Sequence, residues 1–373
     1  MRSIEGKLTQ EILDFIGGDP RTVASSNAFP IKTFRELVEK TAQLAYLNKD
    51  HLLFYRGQNS DYRNRGGSST FYPSIYRGDY LQQREVNNRF DILNGACKSL
   101  TDLFVDQKVE GYKELKRKKY IQWSVLQHYE VCATPLLDFT HSLRVACSFA
   151  LQDNNSDNAY IFIFGLPYIT NRISVNSEHD LVNIRLLSIC PPHALRPYFQ
   201  EGYLAGTEDI TTTYDSKSEL DFNNRLIAKF EIPNSDDFWG ESFDQIPKDS
   251  LYPDNDPIWE LTKEIKDLAD RELKAGDLGE FLKLWSELEE NVVNKVKKRT
   301  DRFMSVREAI RLLYDQGQIT KELLYEIDRL RKFRNQVVHT PKKINPGMIQ
   351  DFIFELERLN KEIKTTANNG YKT

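Results

Sequence analysis

Every run that reads as a β-strand lies before residue 275, and everything after it reads as helix. That change of character constrains the fold more than any single motif does. Past it, apolar residues recur at helical spacing over 278–299, 304–315, 318–339 and 346–363, and Ser305 stands three residues before Glu308 in capping-box order. Gly276 and Gly279 mark the change and read as a hinge. Before it, strands are expected at 52–55, 136–140, 158–165, 182–187 and 226–232. Helices are expected at 33–47, within 79–109, at 123–129, from 143 and from 258. Residues 113–119 read as a solvated linker or helix end and 234–257 as loop. The class is α+β with an all-helical C-terminal domain, and the expected division is an N-terminal segment at 1–30, a mixed domain at 31–274 and a helical domain at 275–373.

Composition narrows the function classes. The chain has 373 residues and a net charge of −4, so no overall basic field recruits nucleic acid. The runs Lys116–Lys119 and Lys295–Arg299 read as solvated helix faces. No stretch approaches the ~20 apolar residues of a membrane helix, and the start has no apolar signal-peptide core. A cytoplasmic protein without membrane partners is therefore expected. Cys97, Cys132, Cys147 and Cys190 are scattered thiols; Cys190 and His193 make half a metal pair with no second half, so no metal is expected.

The stretch His51 to Arg77 carries the first candidate site. Leu52–Tyr55 reads as a buried strand that breaks into Arg56-Gly57-Gln58. A strand-end arginine beside a glycine suits an anion pocket, the glycine letting a phosphate approach the backbone; the other reading is an ordinary ion pair. Further on, Leu136–Thr140 is a short strand carrying Asp138, and Thr140-His141-Ser142 is a polar corner opening a helix with the small residues Ala146 and Ala150. Such a corner either binds phosphate or simply caps the helix. His128 reads as a pocket-lining group or a core histidine. Asp138, flanked by Leu137 and Phe139, needs a partner, and Arg56 is the natural one.

These blocks resemble the FRG domain family. Phe54-Tyr55-Arg56-Gly57-Gln58 is similar to the motif that names it. Trp123 with Gln127-His128-Tyr129, Thr134–Thr140, the helix with Ala146 and Ala150, Arg196 with Gln200-Glu201-Gly202-Tyr203, and Leu251–Asp254 resemble the later family blocks in order. The resemblance spans about residues 30–265. It implies an ADP-ribosyltransferase-like fold of split, curved β-sheets with flanking helices, and NAD or a related nucleotide as substrate. Arg56 would hold phosphate or ribose with Gly57 and Gln58 beside it. Thr140 and Ser142 would cradle the nicotinamide ribose, with His128 and Asp138 in the lining. Gln200 stands where the third element belongs, with Glu201 next to it. A glutamine bonds a hydroxyl but is no general base, so the implied transfer of ADP-ribose rests on Glu201.

In the tail, Arg334 and His339 resemble the R-x-x-x-x-H motif of HEPN domains, four-helix bundles that include metal-independent RNases. In that chemistry His339 is the acid or base and Arg334 steadies the phosphorane. On a straight helix the two lie about 140° apart, whereas Asn335 and His339 share a face. The tail is therefore read as either an RNase or an interaction bundle that makes a homodimer. Together the resemblances imply a toxin or defence protein that binds NAD or a related nucleotide and transfers ADP-ribose to protein or nucleic acid. The alternative is a non-catalytic nucleotide sensor that gates a HEPN-type RNase cutting RNA.

Overall fold

The structure is a computed structural model; it describes residues 1–373 except 79, 80, 82, 209–212, 215, 271–274, 298–303, 340–343, 345 and 367–373. The chain divides into two compact units, Met1–Ile265 and Lys266–Thr373.

Among the described residues eight strands build the first unit: β1 Phe29–Pro30, β2 Leu52–Gln58, β3 Leu137–Thr140, β4 Asn158–Leu166, β5 Ile173–Asn176, β6 Leu181–Arg185, β7 Gly202–Gly206 and β8 Leu226–Pro233. They form one sheet in the order β1-β8-β4-β2-β3-β7-β6-β5. β1 runs parallel to β8, and every other neighbour is antiparallel. β4 is the buried centre of one half, which is why Ile161-Phe162-Ile163-Phe164 carries no polar alternation.

The middle of the sheet is thin. β2 pairs with β4 along its whole length, from Leu52 opposite Leu166 to Gln58 opposite Tyr160. With β3 it shares a single register pair, Tyr55 opposite Thr140. Beyond that point Arg56-Gly57-Gln58 and Leu137-Asp138-Phe139 run on without pairing with each other, β2 bonding to β4 and β3 to β7. The strands expected as two separate sheets are thus one hydrogen-bonded sheet with a seam.

Among the described residues the α-helices of this unit are α1 Gln10–Phe15, α2 Phe34–Leu47, α3 Gln83–Asp106, α4 Tyr112–Leu115, α5 Lys119–His128, α6 Leu143–Leu151, α7 Arg196–Phe199 and α8 Lys248–Leu251, and α9 Pro257–Asp270 begins in it and ends past its last residue. α2 and α6 cover one half of the sheet: Leu37, Leu44, Ala146 and Ala150 pack with Leu53, Ile161, Ile163 and Phe230. α3 and α5 cover the other, where Leu93, Leu100, Val125 and Leu126 pack with Ile184 and Leu204. A third cluster of Phe54, Phe71, Phe139, Phe162, Phe164 and Phe222 fills the opposite face of β2 and β4. The stretch at 113–119, read as a linker or helix end, holds the end of the short α4, and the stretch at 234–257, expected as loop, contains the short helix α8.

Among the described residues the second unit contains α10 Ala275–Lys297, α11 Val306–Asp315, α12 Lys321–His339 and α13 Pro346–Thr366. Gly276 and Gly279 lie inside α10 and are not a hinge. Each costs about 1 kcal/mol against alanine, less than burying the stripe Phe281, Trp285, Leu288, Val292 and Val296 returns. α11 opens on the expected box: Glu308 N–H donates to Ser305 Oγ, and Ser305 N–H to Glu308 Oε2. Asn291 donates to Asn360 Oδ1 at 2.9 Å, and Asn360 to the Leu284 carbonyl at 3.0 Å, tying α10 to α13.

Candidate functional site

The seam between β2 and β3 opens into a cleft of about 1100 Å³, room enough for a dinucleotide-sized ligand. Its walls include Arg56, Gly57 and Gln58 from β2, and Leu137, Asp138, Phe139 and Thr140 from β3. Gln127 and His128 from the end of α5, Gln200, and a loop bearing Tyr62, Arg63 and Arg65 complete much of the lining.

Arg56 bridges the seam. Its Nη1 donates to the Asp138 carbonyl at 2.7 Å, giving that oxygen the partner that strand pairing would otherwise supply. Its Nε is buried without a partner. A buried guanidinium N–H left unbonded is a standing cost unless a ligand accepts it. Burial pulls the guanidinium down to about 10, the Asp138 charge opposing and the Arg77 charge adding; it stays charged at neutral pH. The expected ion pair with Asp138 is therefore a bond to its backbone. The Asp138 carboxylate is held by Gln127 instead, whose Nε2 donates to Oδ2 at 2.6 Å.

Gly57 serves a different purpose from the one its position suggested. A Cβ there would lie 1.8 Å from the Ala146 carbonyl oxygen, so the missing side chain lets α6 sit on β2. It makes room for a helix and not for a phosphate. Gln58 lines the cleft with its Oε1 buried and unbonded.

Thr140 is buried and locked: its hydroxyl donates to the Gln200 carbonyl at 3.0 Å and accepts the Ser142 N–H. Ser142 caps α6 by accepting the Val145 N–H at 3.4 Å and is not in the lining. Gln200 lines the cleft, but its Nε2 donates to the Leu251 carbonyl at 2.9 Å. Glu201 is exposed, in left-handed backbone with φ 45°, and lies outside the lining. The carboxylates in the lining are Asp138 and Glu130.

Several lining residues were not singled out by the sequence. Arg63, Arg65, Arg77 and Lys217 join Arg56, so five cations face the two carboxylates in a chain whose net charge is −4. Cationic side chains thus outnumber carboxylates in the lining although the whole chain is negative. Asp61 carries the loop: its Oδ2 accepts from Arg63 at 2.9 Å and from the buried Lys229 at 3.0 Å, fixing residues 59–70 to β8. Tyr72 bonds Asp221, and burial with that charge raises its pKa. Burial and the Glu130 charge push Tyr252 up to about 12, so both phenols remain donors. The signal for the basic loop was present as three arginines within Arg56–Arg65 beside Gly66 and Gly67, and Tyr252 lies in the Leu251–Asp254 block; Lys217 had none.

Arg196 supports the site from behind. Its guanidinium stacks on Trp259, Tyr252 and Tyr129 at 4.1, 5.0 and 5.3 Å. The buried Asp256 accepts from the Tyr129 hydroxyl at 2.7 Å and from the Leu195 and Arg196 N–H groups at 3.0 Å. This fixes α7, and with it Gln200.

In the second unit Arg334 is half-buried, donating to Asn335 Oδ1 at 3.3 Å with its Nε buried and unbonded. His339 is exposed at the last position of α12, which runs unbroken through both residues.

Residues 51–159 match the family described as the FRG domain. The match begins just before β2 and ends in β4, so it includes Arg56, His128 and Asp138 and leaves out Gln200, Lys217 and Tyr252. No curated protein and no solved structure matches the chain.

Proposed function

We propose that the first unit binds NAD or a related phosphate-bearing nucleotide in the seam cleft. The observation that carries this reading is Arg56: a charged guanidinium with an unbonded, buried Nε at the centre of a basic cleft of dinucleotide size. Arg56, Arg65, Arg77 and Lys217 would hold the phosphates. Tyr62 and Tyr252 would offer ring faces to a base. A sheet parted along one seam and the FRG match support the ADP-ribosyltransferase-like reading and a role in defence. Glu201 faces solvent, so transfer of ADP-ribose by this chain would draw its carboxylate from Asp138, which Gln127 orients. Titration calorimetry with NAD tests the binding step. Arg56→Ala is expected to weaken binding at least tenfold; unchanged affinity would remove the reading.

For the second unit we infer a helical packing and assembly module. Arg334 is tied to its neighbour and His339 stands at an exposed helix end, an arrangement that supports assembly over nuclease chemistry. An RNA-cleavage assay comparing the parent with His339→Ala is expected to show no difference; RNase activity lost in the variant would restore the HEPN-type reading.

A further inference from the structure

Two polar groups in the cleft face each other across a gap that no bond closes. His128 Nδ1 lies 3.9 Å from Asp138 Oδ1, the histidine side chain 4% exposed and the aspartate side chain 40% exposed. That distance is too long for a hydrogen bond. His128 Nε2 is buried without a partner. The imidazole is thus a polar side chain buried to more than nine-tenths, in the cleft wall, with neither nitrogen bonded.

Neither group is free to swing away. Asp138 Oδ2 accepts from Gln127 Nε2 at 2.6 Å. The Gln127 amide cannot flip, because its Oε1 would then face the Asp138 carboxylate; as placed, Oε1 accepts from the hydroxyls of Thr134 and, at 3.4 Å, Ser74. On the other side β7 passes close to the ring: a Cβ on Gly202 would lie 3.2 Å from His128 Cε1. The separation is held by its surroundings, and an oxygen set to one side of the line joining the two atoms can sit at ~2.8 Å from both.

The chemistry of the two sides selects the occupant. Asp138 Oδ1 accepts only. With the proton on Nδ1, His128 donates into the gap and leaves Nε2 as a bare acceptor, the cheaper of the two nitrogens to bury unbonded. The occupant must donate to one wall and accept from the other through a single atom. An ammonium cannot accept and a phosphate oxygen cannot donate; a hydroxyl does both. Arg56, bonded to the backbone carbonyl of the same Asp138, sets a phosphate-binding charge beside that gap.

We propose that His128 and Asp138 form a hydroxyl-binding subsite that takes the sugar of a phosphorylated sugar or nucleotide. Its O–H donates to Asp138 Oδ1 and its oxygen accepts from His128 Nδ1. The identification of the sugar as part of a nucleotide rests on the reading of the cleft given above; the subsite itself does not.

The test uses the full chain and two probes, ribose 5-phosphate and cyclopentylmethyl phosphate, which keeps the anion and lacks every hydroxyl. Calorimetry is expected to show ribose 5-phosphate bound about tenfold more tightly. Asp138→Asn and His128→Phe should each erase that preference; Asp138→Asn, which also removes a negative charge beside Arg56, should tighten both probes alike. Two variants are used so that misfolding of one, seen by its melting curve, leaves the other to decide. In the parent, ribose 5-phosphate should also shift the His128 imidazole resonance. A preference that survives both substitutions overturns the proposal, as does an absence of preference or an unmoved resonance. A parent that fails to bind NAD yet keeps a hydroxyl preference lost in the variants retains the subsite and discards the nucleotide reading. NAD binding without that preference does the reverse.

Discussion

At the scale of single residues, Gly57 and Glu201 show how neighbours in sequence acquire unlike roles. The prominence of Gly57 beside Arg56 pointed to ligand contact, but the constraint comes from the far side of the sheet, where the Ala146 carbonyl fills the space of a side chain. Gly57→Ala is expected to destabilise the first unit by about 3 kcal/mol, lowering its melting temperature by roughly 6 °C or more in a thermal scan. A melting point like the parent's would mean that α6 yields. Arg56, His128 and Asp138 could be read as lining residues because each sits in a strand or helix whose period can be read. Glu201 could not, because its direction depends on one left-handed residue between α7 and β7. Asp138 was read as a burial problem solved by Arg56; the solution is Gln127, eleven residues away on another element.

At the scale of elements, the loop at 59–70 has few regular bonds of its own and borrows rigidity from β8. Lys229 is buried, with its Nζ bonded to Asp61 Oδ2, to Ser69 Oγ at 2.8 Å and to the Ala24 carbonyl at 3.2 Å. Lys229→Met leaves the Asp61 carboxylate with half its support and is expected to cost about 3 kcal/mol in chemical denaturation. It should also weaken NAD binding, because Tyr62, Arg63 and Arg65 hang from the same loop. Adding Asp61→Leu should recover most of the stability and none of the affinity. Recovery of both would show that the loop's position does not matter to the cleft. The long helices and the strands β2, β3, β4, β6 and β8 were legible within a few residues, since apolar period survives in each; the short β1, β5 and β7 were not expected. Glycine misled the reading in α10, where a long buried stripe outweighs two weak helix formers. The lone Tyr55–Thr140 pairing had no sequence signal, since register between strands far apart in sequence is a property of the assembled sheet.

At the scale of the whole molecule, three histidines set a common response to acid. Burial lowers His51, His141 and His179 from the ordinary value of 6.5, with the Arg225 charge adding at His51 and His179 and that of Arg185 at His141. The unfolded chain takes up these protons first as pH falls. The stability they allow is full above about 6.5 and is lost below it, toward the depressed folded values. Melting temperature is expected to fall between pH 7.5 and pH 5.5, and to fall less in His141→Phe, whose ring keeps the packing on Phe54. An equal fall in parent and variant would place the acid response elsewhere. The division into a mixed unit and a helical one was visible as a change in period. The excess of cations in the cleft, set against a negative chain, was only partly visible: four of the five stand in the stretch His51 to Arg77, but which of them turn into the cleft, and that Lys217 joins them, depends on the assembled fold.

The seam has a mechanical side. Backbone bonding joins the two half-sheets at one rung, and beyond it the continuity of the sheet passes through the side chain of Arg56 to the Asp138 carbonyl. A molecule lodged there would touch both halves at once and act as the rungs that β2 and β3 do not make. Occupancy of the cleft and stiffness of the sheet would then be one variable, and a bound molecule would be felt along the strands as far as their outer edges.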